Sequence, residues 1–184
     1  ADIAYSEKPA HPRLLIAEKD RESFQRRMRR SERLAAGWQH IQNAARFAPH
    51  SLSSGRTFSR EDGGQPAGDG AVAKRYYQQL VQVAFVSFVN GDGRLAAKGV
   101  KILLDACAYQ HRQDRSMKGA SHQISSWGDA GNVSRMTEAV ATAYDLLYAH
   151  MSDGQRSTVR RVLVDKGIEP LIHSWGSETT STQP

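Results

Sequence analysis

The fold is decided by residues 71–89, which read AVAKRYYQQLVQVAFVSFV. Apolar side chains cover a wide helical face of this stretch: Tyr76, Tyr77, Leu80, Val81, Ala84, Phe85 and Phe88. A helix that is apolar over so much of its circumference is surrounded by other helices. Because Asn90-Gly91-Asp92-Gly93 then stops the pattern, this stretch predicts the central helix of an all-α domain.

The same periodicity on either side of this stretch predicts five further helices. They open at Ala17, after Ser31, at Arg94, at Asn132 and at a capping box formed by Ser152 and Gln155. Pro170 lies inside the last of these and is the expected position of a kink. No strand pattern is found, and the short connections predict antiparallel helical hairpins.

The chain divides into three parts by composition. Residues 1–16 contain Pro9 and Pro12 and predict an extended lead-in, residues 17–175 predict the helical domain, and the Gly/Ser/Thr-rich residues 176–184 predict a flexible end. Two long polar loops, 49–70 and 113–131, interrupt the helical part. Loops of this length inside compact domains tend to carry function or to move.

The net charge of +6 favours polyanions as partners: nucleic acid, anionic lipid or acidic polysaccharide. Much of the excess lies between Arg21 and Arg33, where the arginines alternate with Glu22 and Glu32. A solvated basic surface that keeps the protein soluble explains the same charge. No aromatic ladder, helix-turn-helix or RNA-recognition pattern is present, so nucleic acid is the least favoured partner. The longest apolar run, Val83–Val89, is too short to span a bilayer.

The single cysteine, Cys107, lies in an apolar stretch and predicts a buried, inert thiol. One cysteine allows no internal disulfide, and no metal-binding cluster or cofactor motif accompanies it, so neither metal nor cofactor is expected. The patterns GxxxxGK[ST], GxSxG and HExxH are absent. The small residues at the start, from Ala1 to Ala4, are what signal-peptide cleavage leaves behind and predict a periplasmic or secreted protein, although a cloning choice would produce the same start.

Three segments of the chain share a pattern with one family. The first is His11–Leu15, HPRLL, followed by an acidic helix start. The second is Phe88–Asp92, FVNGD, followed by Leu95–Val100, LAAKGV. The third is Ala139–Tyr148, AVATAYDLLY, followed by Met151–Arg156, MSDGQR. Together they resemble the N-terminal helical region of the heparinase II/III-like polysaccharide lyases. Related alginate lyases share the same helical pattern.

The resemblance covers most of the chain, from about Ala10 to Ile172, and its motifs concern packing. Leu146 replaces a tryptophan of the family pattern and Gly154 replaces an acid. The family implies an incomplete (α/α) toroid followed by β-sheet domains, and β-elimination on a uronic-acid-containing glycan. The family's Asn-Trp or Asn-His catalytic motif is expected beyond Pro184, in a downstream part of the same protein. We therefore expect this chain to be inactive alone, with its catalytic residues unassigned.

A lyase of this kind must neutralise the uronate carboxylate with Asn, His or Arg and move a proton with Tyr or His. His122 and Trp127 lie in the loop before a predicted helix, and Asn132 and Arg135 lie at its start. Helix starts offer free N–H groups to an anion. We therefore predict substrate contact at these four residues. The alternatives are a solvated histidine, a packing tryptophan, an N-cap and a surface charge.

Other residue types that could perform acid–base chemistry are better explained by structure. Four tyrosines have the spacing of a helix core: Tyr76, Tyr77, Tyr144 and Tyr148. Glu138 and Asp145 share one helix, whereas glycosidase carboxylates come from separate elements, so we interpret both as surface or capping charges. The alternative function is a non-catalytic helical module that binds glycan or a protein partner.

Overall fold

The computed structural model describes residues 11–12, 14–49, 69–110 and 123–179, and within these ranges the protein is all-α, without strands. Six helices pack together, and the last of them is interrupted. They are α1 (Arg21–Met28), α2 (Glu32–Phe47), α3 (Asp69–Asn90), α4 (Gly93–Ala108), α5 (Ala130–Leu147), and a final helix made of α6 (Asp153–Val162), a π-helical segment (Leu163–Ile168) and α7 (Glu169–Thr179). Single 3₁₀ turns precede α1 and follow α5. The predicted all-α class is confirmed.

Helix α3 is the centre of the core, as its sequence predicts. It packs against α2, α4 and α5, and its buried side chains are Val72, Ala73, Tyr76, Leu80, Val83, Ala84, Val86, Ser87, Phe88 and Val89. Each large apolar side chain removed from water here stabilises the fold by about 1.5–3 kcal/mol relative to an exposed position. The apolar faces of α4 and α5 complete the core.

The link between α3 and α4 consists of Gly91 and Asp92. Gly91 has a φ of +64°, a left-handed conformation that glycine adopts without a Cβ penalty. Its N–H donates to the Phe88 carbonyl at 3.2 Å, and the Asp92 N–H donates to the Ser87 carbonyl at 2.9 Å, the bond pair that closes a helix C-terminus. The Asp92 carboxylate then accepts two backbone N–H groups in the first turn of α4, both at 3.0 Å. The stop predicted at this tetrapeptide is confirmed.

Helices α3, α4 and α5 run in alternating directions. Tyr76, near the start of α3, donates its hydroxyl to the Asp105 carboxylate near the end of α4 at 2.6 Å. The turn before α5 contacts Ala106 at the end of α4. At the other end of α5, Leu147 lies against Gly99 in the first half of α4, where an added Cβ would lie 3.0 Å from Leu147 Cδ1. Gly99 therefore permits the close approach of these helices.

The final helix changes its hydrogen-bond pattern just before Pro170. Proline lacks an N–H, and its ring clashes with the carbonyl four residues earlier, which belongs to Lys166. Lys166 lies within the π-helical segment. The wider turn of a π-helix can accommodate a missing or altered hydrogen bond without ending the helix. In this segment Gly167 lies against Thr137 of α5. A π-helical segment thus ends two residues before Pro170, where the sequence predicts a kink.

Two helix C-termini are closed by lysines from other helices. Lys98 Nζ donates to the Arg46 carbonyl at the end of α2 at 2.8 Å. Lys166 Nζ donates to the carbonyls of Cys107 and Tyr109 at the end of α4, at 2.8 and 3.1 Å. These bonds satisfy carbonyls that have no partner inside their own helix, and the helix dipole favours a cation there. Burial lowers the pKa of both lysines.

The helix boundaries differ from the expected ones in two places. Helix α5 begins at Ala130, two residues before the predicted start, because Asp129 caps it. Helix α7 continues to Thr179, past the boundary predicted at residue 175. The loop segments 50–68 and 111–122 and the end 180–184 lie outside the described residues. Among the described helices, none has the length and apolar character needed to cross a membrane.

Candidate functional site

The start of α5, where the sequence predicts substrate contact, is capped by the protein itself. The Asp129 carboxylate accepts the Asn132 backbone N–H at 2.8 Å, so Asp129 is the N-cap and the alternative role of Asn132 as the cap is wrong. Asn132 lies inside the first turn and its side chain is buried. An incoming anion would therefore meet a helix start at which one backbone donor is already bound to a carboxylate.

Trp127 lies in the turn that precedes α5 and is only 1% exposed. Its indole N–H donates to the Ala106 carbonyl at the end of α4 at 3.2 Å. The turn is held by Ser125, whose hydroxyl accepts the Trp127 backbone N–H at 3.0 Å. An indole in this position joins α4 to α5 as a packing anchor, the alternative raised for it from the sequence, and presents no ring face to a ligand.

Arg135 is exposed, whereas Trp127 and Asn132 are buried. The Arg135 Nη1 atom lies 3.8 Å from the position that a Cβ on Gly131 would take, so the guanidinium stands over the first turn of α5. Within the described ranges it makes no hydrogen bond or ion pair. His122 lies outside the described residues. The structure thus brings Trp127, Asn132 and Arg135 to one end of α5 and leaves Arg135 able to contact a ligand without repacking.

A second cluster of polar side chains lies at the opposite end of α5, where the lead-in crosses the helix. Asp145 is 2% exposed, and its carboxylate is hydrogen-bonded to His11 Nδ1 and accepts the Leu14 backbone N–H at 2.7 Å. The His11 ring stacks on Tyr148 with the centroids 4.0 Å apart and meets the edge of Tyr144 at 6.0 Å. Side chains from 134 residues apart along the chain are therefore joined at one point.

This contact corrects the interpretation of Asp145 as a surface or capping charge. Glu138 does lie at the surface, where it accepts a hydrogen bond from the Tyr77 hydroxyl at 3.0 Å. Asp145 instead lies among the apolar residues of the buried face of α5. A carboxylate in such a position must have hydrogen-bond partners. This rule could have identified Asp145 from the sequence as a buried carboxylate that needs hydrogen-bond partners, although not which residues these are.

Two arginines of α6 complete this second cluster. The Arg156 guanidinium lies 4.2 Å from the centroid of the Tyr148 ring, within the distance of a cation–π contact, and its Nε donates to the Tyr148 carbonyl at 3.1 Å. Arg160 Nη1 lies 3.4 Å from the Tyr144 hydroxyl. A tyrosine hydroxyl beside a guanidinium can take part in proton transfer at an anionic substrate. The same stacking and hydrogen bonds also fix the end of α5.

The fold shifts the pKa of Cys107 at the end of α4 and of Tyr77 on α3. Burial raises the pKa of the Cys107 thiol to about 12, in agreement with the buried, inert thiol predicted from the sequence. The hydrogen bond to Glu138 raises the pKa of the exposed Tyr77 hydroxyl. Among the described residues, no group of three or more His, Cys, Asp or Glu side chains is placed to hold a metal ion.

Comparisons of this chain with family models, with curated proteins and with solved structures found no match.

Proposed function

We propose that this chain forms the N-terminal helical part of a polysaccharide lyase that cleaves a uronic-acid-containing glycan by β-elimination. The proposal rests on contacts between two segments of the resemblance. His11 and Leu14, in the first segment, contact Asp145 and Tyr148, in the third. Motifs that occur together in the lyase family are here parts of one structural unit. Their co-occurrence in this sequence therefore has a physical reason.

The arrangement of helices supports the same proposal. Helices α3, α4 and α5 alternate in direction and are joined in sequence order, as the successive hairpins of an (α/α) toroid would be. The final helix has four exposed apolar side chains, Val164, Ile168, Ile172 and Trp175, at intervals of three or four residues. In our proposal a downstream part of the same protein covers these side chains and continues the toroid.

The proposed chemistry assigns Arg135 to binding. Its guanidinium can donate two parallel hydrogen bonds to the carboxylate of a uronic acid. Neutralisation of the negative charge on that carboxylate makes the adjacent C–H more acidic, and β-elimination requires the removal of this proton. The Asp129 carboxylate at the same first turn already accepts a backbone N–H of α5, so the site depends on Arg135 to contact an anion.

The replacement Arg135→Ala tests this assignment. A trigalacturonate titration followed through the backbone amide NMR signals of Gly131 and Asn132 reports directly on the start of α5. We expect the variant to lose about 1–3 kcal/mol of binding free energy, the range for hydrogen bonds to charged groups. The loss should fall toward the lower limit because Arg135 is exposed, and should shrink further at high salt.

Arg161 provides a matched control, since it is exposed, lies on α6 and makes no ion pair among the described residues. Arg161→Ala should leave the titration unchanged. Equal losses in both variants would mean that the glycan responds only to net charge, and the assignment of Arg135 would then be wrong. Equal binding of neutral maltotriose at Gly131 and Asn132 would contradict the proposed substrate class.

A further inference from the structure

A groove of about 250 Å³ lies between α1, α2 and the end of α3. It is lined by four amide side chains together with an aromatic ring, a thioether, an alanine and a guanidinium: Gln25, Gln39, Gln42, Asn90, Trp38, Met28, Ala35 and Arg29. Pockets for drug-sized molecules measure about 300–1,000 Å³. The groove is therefore large enough for one small polar molecule. Most ligand pockets are lined mainly by apolar side chains, whereas amides make up half of the residues that line this one.

The four amides use only part of their hydrogen-bonding capacity within the protein. Gln25 Nε2 donates to a backbone carbonyl at the end of α3. Gln39 Nε2 donates to the Asn43 side chain at 3.0 Å, and Gln42 Nε2 donates to Asn90 Oδ1 at 3.3 Å. Each amide carries both donors and acceptors. Three glutamine oxygens and the Asn90 amide nitrogen thus have no partner in the part of the chain that the structure describes.

The charge beside the groove is positive and is not neutralised locally. Arg29 lines the groove and is exposed. Three neighbouring arginines, Arg27, Arg30 and Arg33, are exposed as well. None of these four has a carboxylate partner among the described residues, whereas Arg26 is paired with Glu22 at 3.5 Å. An anionic ligand in the groove would therefore find an available guanidinium at its rim.

From these observations we infer that the groove binds a sugar acid, with Arg29 on the carboxylate and the amides of Gln25, Gln39, Gln42 and Asn90 on the ring hydroxyls. Planar amides can donate to one hydroxyl and accept from the next, and a guanidinium matches a carboxylate through two parallel bonds. Trp38, which is half-buried against Phe24 and Phe85, supplies an apolar wall for the C–H face of the ring. A nucleic acid would instead need exposed aromatic faces for stacking.

This site is separate from the start of α5. The groove lies at the α3–α4 turn, while α5 starts beside the other end of α4. The 16 residues of α4 place the two about 24 Å apart along the helix axis. The inference goes beyond the proposed function, because the groove can bind a sugar acid whether or not the chain belongs to a lyase.

The test is a titration of the full chain with trigalacturonate, followed by the indole N–H NMR signal of Trp38. Trp175 is exposed on α7 and does not line the groove, so its signal serves as the internal reference. Trigalacturonate should shift the Trp38 signal, and Arg29→Gln should weaken this binding by about tenfold at low salt. Gln39→Ala, at an exposed position, should weaken it without loss of fold.

Three outcomes would overturn the inference. They are an unchanged Trp38 signal at millimolar trigalacturonate, an equal weakening by Arg161→Gln, and tighter binding of oligothymidylate than of trigalacturonate at the same signal. Maltotriose, which has no carboxylate, should bind far more weakly than trigalacturonate. Arg135→Ala should leave the Trp38 titration unchanged, so a failure here and a failure of the proposed function are distinguishable.

Discussion

The contact between Gly167 and Thr137 offers the sharpest test of how the final helix is held. A Cβ added at Gly167 would lie 2.4 Å from Thr137 Oγ1 and 3.2 Å from its Cγ2, far inside the separation of about 3.5–4.0 Å at which such atoms attract. Thr137 cannot easily move away, because its hydroxyl donates to the Val133 carbonyl at 2.7 Å and a β-branched side chain in a helix has few rotamers. Gly167→Ala should therefore destabilise the protein.

The magnitude follows from opposing contributions. Overpacking of a tight contact costs about 1–3 kcal/mol, and loss of the Thr137 hydrogen bond would add about 1 kcal/mol. Alanine recovers up to about 1 kcal/mol of helix propensity. We expect a net loss of about 1–3 kcal/mol in the free energy of unfolding, measured by urea denaturation with circular dichroism at unchanged m-value.

Two companion variants separate the contact from the general effect of alanine. Gly37 lies in the middle of α2 with nothing within 4 Å of an added Cβ, so Gly37→Ala should stabilise by up to about 1 kcal/mol. Thr137→Ala removes the obstructing atoms, and the double variant with Gly167→Ala should recover about 1 kcal/mol or more through coupling. A Gly167→Ala protein as stable as the parent, or a double variant without recovery, would refute the reasoning.

Three other predictions follow from the described contacts. Asp145→Ala leaves His11 and the arm without their acceptor, which should cost about 1–3 kcal/mol, and the arm should be cleaved faster in limited proteolysis. Because burial raises the pKa of Cys107 from 9.0 to about 12, a thiol reagent at mildly alkaline pH should label it only after denaturation. The unfolded thiol ionises above pH 9 while the folded one stays protonated, so stability should fall as pH rises from about 9 towards 12, and Cys107→Ala should remove this contribution to the slope. Trp127→Phe, which loses the hydrogen bond to Ala106, should cost about 1–2 kcal/mol of stability and leave trigalacturonate affinity unchanged, as measured by thermal unfolding and titration; a weaker affinity of the folded variant would indicate ligand contact instead.

Helix positions could be predicted from the sequence because local signals specify them. Ser31 Oγ accepts the Leu34 N–H at 3.2 Å as the N-cap of α2, and Ser152 and Gln155 form both bonds of the predicted capping box. The short-range chemistry of serine and glutamine is enough for such features. The cap of α5 is Asp129, but Asn132 offers similar side-chain chemistry three residues later, so the sequence alone does not distinguish the two.

Contacts between residues that are distant in the sequence could not be predicted in this way. Nothing local to Asp145 shows that His11 is its partner, since the two are 134 residues apart. The amide groove likewise combines residues of α1, α2 and the end of α3 that no single helical pattern connects. Trp127 in a polar loop indicated an exposed ligand contact, yet its indole is buried against α4, because burial of a loop residue depends on the approach of another helix.

The end of α4 is closed by side chains that appear much later in the chain. Trp127 reaches the Ala106 carbonyl, and Lys166 reaches the Cys107 carbonyl from 59 residues away. During synthesis, the carbonyls of Cys107 and Tyr109 gain their Lys166 partner only after residue 166 has been added to the chain. In the folded protein, a local opening of the π-helical segment would remove both Lys166 bonds from the last turn of α4. The amide hydrogens of the two segments should then exchange with solvent as one cooperative unit, although they are distant in sequence.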